Sequence, residues 1–73
     1  MLEELSKKII LYRTALGLSQ LQLADRAKLH VNFIGKIERG QCNPTFKSLI
    51  FISKALGISL KDLMPDTVDG LLE

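Results

Sequence analysis

Between Gly17 and Gly40 the chain reads Gly-Leu-Ser-Gln-Leu-Gln-Leu-Ala-Asp-Arg-Ala-Lys-Leu-His-Val-Asn-Phe-Ile-Gly-Lys-Ile-Glu-Arg-Gly. This run predicts two short helices held at a tight angle. Ser19 suits the N-cap of the first, where its hydroxyl accepts a hydrogen bond from a free backbone N–H. Leu23, Ala24 and Ala27 form an inward stripe at i, i+1 and i+4. The chain then turns at Lys28-Leu29-His30, and Ile34 and Ile37 anchor a second helix whose outer face is polar. Gly40 ends that helix, because glycine reaches positive φ without the steric cost a side chain adds.

The flanking sequence supplies three more helices and no strand pattern. Glu3 and Glu4 open a first helix over about 2–16, where acids suit the positive helix end. Leu5, Ile9 and Tyr12 mark its buried stripe at i, i+4 and i+7. The central pair spans about 19–27 and 31–38, and 39–44 is a loop punctuated by Gly40 and Asn43-Pro44. Thr45 or its neighbour starts a fourth helix that ends at Gly57, with Phe46, Leu49, Ile52 and Leu56 facing inward. A fifth, over about 59–64, buries Leu60, Leu63 and Met64 before Pro65 ends it. The expected architecture is all-α, with one domain over 1–64 and a short acidic tail over 65–73.

With 73 residues the chain has room for a single domain. Such a chain buries only about 60% of its unfolded surface, so a second subunit would add burial that the monomer lacks. No run approaches the roughly 18 apolar residues of a membrane span. The start, Met1-Leu2-Glu3-Glu4, lacks the basic and apolar character of a signal peptide. Cys42 is the single cysteine, which fits a cytoplasmic protein without disulfides. Residues 1–56 hold nine Lys/Arg against four acids, whereas 57–73 hold one Lys against four acids. A basic body with an acidic tail suits a protein that meets phosphates with one surface.

Two helices joined by a turn of about three or four residues are the helix-turn-helix arrangement, whose second helix enters the DNA major groove. The ordered residues narrow this further. Arg13-x-x-x-Gly17-Leu18-Ser19-Gln20-x-x-Leu23-Ala24, Ile34-x-x-Ile37-Glu38-Arg39-Gly40, Pro44-Thr45 and Leu49-x-x-Ile52 closely resemble the Cro/phage-repressor helix-turn-helix family. Within it the chain looks most like small stand-alone regulators such as restriction–modification controller proteins. The resemblance covers roughly residues 5 to 64. It implies a compact five-helix lambda-repressor-like domain that regulates transcription, binding double-stranded DNA as a homodimer on an inverted-repeat operator.

The resemblance also implies roles for particular residues. The first, second and sixth positions of the third helix, Val31, Asn32 and Lys36, would contact bases. The Asn32 amide matches adenine N6 and N7, and Lys36 can donate to guanine O6 and N7 or neutralise a phosphate. The Val31 methyls can pack on a thymine methyl, as can Phe33. Gln20 is the family's clamp on the DNA backbone, assisted by helix N–H groups. Ser19, His30, Arg39, Asn43, Thr45 and Lys47 would join it on phosphates, although capping alone would explain Ser19, His30 and Thr45. Arg13 and Glu38 correspond to a mostly buried ion pair that orients the third helix; an exposed pair, worth under about 1 kcal/mol, is the alternative. Lys28 replaces a glycine common in the family's turn, and Val31 stands where controller proteins often carry arginine.

Ile10, Leu16, Leu21, Phe33, Ile50 and Phe51, with Val68, Leu71 and Leu72 in the tail, fall outside the stripes. Clustered apolar surface marks partner sites. Ile50, Phe51, Ile58 and Leu60 are accordingly expected to form the dimer interface, and the tail either docks across it or frays. An antitoxin-like module, binding another protein and using DNA for autoregulation, is the rival reading. One His, one Cys and no nucleotide loop give no basis for an enzyme, a cofactor or a metal site, and His30 lacks the neighbours of a metal ligand.

Overall fold

The computed structural model describes residues 2–64. They form α1 (Leu2–Ala15), α2 (Gln20–Ala27), α3 (Val31–Glu38), α4 (Phe46–Leu56) and α5 (Leu60–Leu63), with no strand among the described residues. The expected five-helix, all-α architecture is present. Its boundaries move by a residue or so, because the flanking positions serve as caps. The acidic tail, with Pro65, Val68, Leu71 and Leu72, lies outside the described residues.

Polar side chains start the helices. Ser19 accepts from the Gln22 N–H at 3.0 Å while the Gln22 Oε1 accepts from the Ser19 N–H at 2.8 Å, a reciprocal capping box. Thr45 Oγ1 accepts from the Ser48 N–H at 3.1 Å and caps α4. Ahead of α5, the Asp62 carboxylate accepts from both the Ser59 N–H and its hydroxyl.

Four helices stop by one device. After α1, α2, α3 and α4 a residue with left-handed backbone is followed by one whose N–H reaches back to the helix. These long bonds are Leu18 to Arg13 O, Leu29 to Ala24 O, Gln41 to Lys36 O and Ile58 to Ser53 O, at 2.8–3.0 Å. This is the Schellman stop, which satisfies carbonyls left free at a helix end. The left-handed residue is Gly17, Gly40 or Gly57 in three cases and Lys28 in the fourth, at φ 58°. Lysine in this conformation costs on the order of 1–2 kcal/mol more than glycine.

The same device explains a core residue that periodicity misses. Leu18 lies between helices, yet it is buried, folded back after the α1 stop. Leu29 and Ile58 occupy the matching position after α2 and α4 and pack on the core. Ile9, Leu23, Ile34, Ile37, Ile52 and Leu63 form the fully enclosed centre. Tyr12, Leu60 and Met64 were expected inside and sit only half-buried at its margin.

Phe46 departs from its expected inward position and is 64% exposed. It is the first residue of α4, a turn ahead of Leu49, and the buried face of that helix is Ser48, Leu49, Ile52, Ser53 and Leu56. Among the described residues, Leu11, Leu16 and Leu21 are the other large exposed apolar side chains. Ser6 and Lys8 tie α1 to the far side of the fold. Ser6 Oγ donates to Ile37 O at 2.7 Å near the end of α3, and Lys8 Nζ donates to Met64 O at 2.9 Å beyond α5.

Candidate nucleic-acid interface

Glu38 closes α3 and is buried, so its carboxylate needs partners on every side. Arg13 from α1 supplies a two-pronged contact, Nε to Oε2 at 2.7 Å and Nη2 to Oε1 at 3.0 Å. Its third nitrogen, Nη1, donates to Leu18 O at 2.8 Å. The side chains of Arg13 and Glu38 are 15% and 4% exposed, which establishes the buried pair over the exposed alternative. No buried side-chain nitrogen or oxygen lacks a partner among the described residues.

Gln20 joins the same network. Its Nε2 donates to Glu38 Oε1 at 3.0 Å, so the amide expected to clamp a DNA phosphate is engaged with the buried carboxylate. Charge decides the direction, because a buried carboxylate is a stronger acceptor than water or a neutral amide. Three helices thus converge on one carboxylate, which fixes the angle between α2 and α3.

Gly35 leaves room for the Arg39 side chain beside this network. A Cβ on it would lie 3.0 Å from Arg39 Nη1 and 3.6 Å from Gln20 Oε1. The guanidinium of Arg39 therefore lies across the helix beside Gln20, held by a 3.2 Å bond from its Nε to Gln41 Oε1. The structure brings two expected phosphate contacts, Gln20 and Arg39, together at one spot.

The outer face of α3 carries Asn32 and Lys36 one turn apart, both exposed. Val31 and Phe33 are different: both are half-buried and pack on the core, which limits what they can present outward. His30 caps α3, its Nδ1 accepting from the Asn32 N–H at 3.1 Å, so the ring hydrogen sits on Nε2 in this arrangement. Ser19 and Thr45 act as caps as well. Asn43 and Lys47 are exposed and make no hydrogen bond to the Glu38 network among the described residues. The Lys47 ammonium lies 5.8 Å from the Phe51 ring centroid, one turn along α4.

The four expected interface residues, Ile50, Phe51, Ile58 and Leu60, are all half-buried. Phe51, Ile58 and Leu60 also pack on the monomer's own core, whereas Ile50 does not. Among the described residues no group of three or more His, Cys, Asp or Glu is placed to hold a metal ion. No described helix is long and apolar enough to cross a membrane.

Residues 9–63 match the helix-turn-helix family. Control protein C.SmaI of Serratia marcescens is 40% identical over 62 residues, covering 85% of this chain and 74% of that protein. The crystal structure of the restriction-modification controller protein C.AhdI from Aeromonas hydrophila superposes with a TM-score of 0.84. It is 33% identical and covers 86% of this chain and 96% of its own. The controller protein C.Esp1396I, solved as a tetramer in complex with its natural 35 base-pair operator, gives a TM-score of 0.81. It is 32% identical and covers 99% of this chain and 95% of that one.

Proposed function

The chain belongs to the helix-turn-helix family, and on that premise we propose that it is an operator-binding transcriptional regulator of the restriction–modification controller type. One observation carries the reading. Asn32 and Lys36 stand exposed on α3 while the other end of that helix is locked to α1 and α2 through Glu38. A rigid helix with two polar side chains aimed outward is what reading base edges in the major groove requires.

In this reading Asn32 and Lys36 contact bases. Val31 contributes at most an apolar edge to a thymine. Arg39, Asn43 and Lys47 meet phosphates, joined by backbone N–H groups at the starts of α2 and α4. Residues 1–64 are the DNA-binding domain and 65–73 a separate acidic tail. The working unit is a homodimer formed about Ile50 on α4, and the C.Esp1396I tetramer supports an oligomer on the operator. The protein acts in the cytoplasm as a binding protein without catalytic chemistry.

Selection of bound sites from random duplex DNA tests this directly. The expected product is an inverted repeat whose half-sites are about one helical turn, roughly 34 Å, apart. Failure to enrich any sequence would refute the reading.

A further inference from the structure

Among the described residues, positive φ occurs at Gly17, Gly40, Gly57 and Lys28. All four sit at the same point of the same Schellman stop. Three times the chain uses the residue that fits without strain, and once it does not. The Lys28 conformation cannot relax, because its own N–H and that of Leu29 are both bonded back to α2, at 3.3 Å to Asp25 O and 3.0 Å to Ala24 O.

The side chain gains nothing visible inside the monomer. It is exposed, and no ion pair or side-chain hydrogen bond holds it among the described residues. A cation near the end of α2 would complement the helix dipole, but Arg26 already places one in the last turn. What Lys28 does have is position. It stands at the corner between the two helices, two residues before the His30 cap of α3 and four before Asn32. A strained residue kept at such a corner points to a role outside the folded monomer.

We propose that Lys28 is a phosphate contact of the DNA interface, its ammonium reaching the backbone beside the groove that α3 enters. The assignment rests on the DNA-binding reading above and adds to it a residue in the turn itself.

The test uses the full chain and two duplexes of equal length, the selected operator and a scrambled version. Affinity is measured across a salt series. Lys28→Gly is expected to raise the thermal midpoint, to weaken binding to both duplexes by the same factor, and to reduce the slope of log affinity against log salt by about 0.9 per bound protomer. Lys28→Arg, which keeps the charge, is expected to retain the wild-type slope. An unchanged slope for Lys28→Gly overturns the assignment, whichever way the thermal midpoint moves, and so does an arginine variant that loses as much slope as the glycine one. In both cases wild-type binding leaves the DNA reading intact. A wild-type protein that binds neither duplex overturns that reading and this proposal together.

Discussion

Gln20 Nε2 and Glu38 Oε1 lie 3.0 Å apart, so the first residue of α2 and the last of α3 are bonded across the turn between them. The same oxygen accepts from Arg13 Nη2 of α1. A charge that three helices share acts as an orientation device, since any change in their angles lengthens at least one bond. Buried pairs add little net stability, but stranding one member is costly.

Arg13→Met should therefore destabilise the protein by about 3–5 kcal/mol, because Glu38 stays buried without its partner. The double change Arg13→Met with Glu38→Leu should recover part of that loss. Urea unfolding of the three proteins measures the coupling. Near-wild-type stability of Arg13→Met would contradict the buried geometry.

Gln20→Ala should cost about 1 kcal/mol in folding through its lost bond to Glu38. If its inward position is kept on DNA, affinity should change little at low temperature, where the fold is fully populated. A large uniform loss of affinity with unchanged folding stability would show that the amide turns outward to a phosphate on binding.

Asn32→Ala and Lys36→Ala should each weaken specific binding by about 1–3 kcal/mol and relax preference at one base pair per half-site. Binding-site selection with each variant reads this out. An unaltered site profile for Asn32→Ala would remove it from the base-reading face.

Thr45→Ala should lower stability by about 0.5–2 kcal/mol through loss of the α4 cap, while Thr45→Ser should be nearly neutral. Thermal melting compares the two. Equal losses for both would assign the effect to the methyl group and not to the hydroxyl.

Ile50→Lys is the cleanest probe of the expected dimer face, since Phe51 and Ile58 also support the monomer's core. Sedimentation should shift toward monomer, and operator affinity should fall without any change at a base contact. A variant that still sediments as a dimer would move the interface elsewhere.

The helices were legible because their signals are local: Ser19 and Thr45 at the starts, Gly17, Gly40 and Gly57 at the stops. The Arg13–Glu38 pair came from the family resemblance, as no periodicity relates residues 25 positions apart. The inward turn of Gln20 was hidden, since it depends on where a distant carboxylate is placed. Phe46 followed the stripe in sequence but lies beyond the last covered turn. Leu18 and Leu29 had a readable signal, an apolar residue directly after a helix stop, that a search for repeats within helices passes over.

The tie from Lys8 to Met64 joins residues 56 positions apart. A helix of four residues cannot persist by itself, because nucleating it costs more than so few bonds return. α5 therefore exists only while Leu63 is sealed in the core and its trailing carbonyl is held by α1. Withdrawing it would open the far edge of the domain and expose that core to water. The α5 edge accordingly does not open by itself but together with the core and α1. Amide hydrogens of Leu63 and Met64 should exchange at the rate of global unfolding, alongside those at the centre of α3.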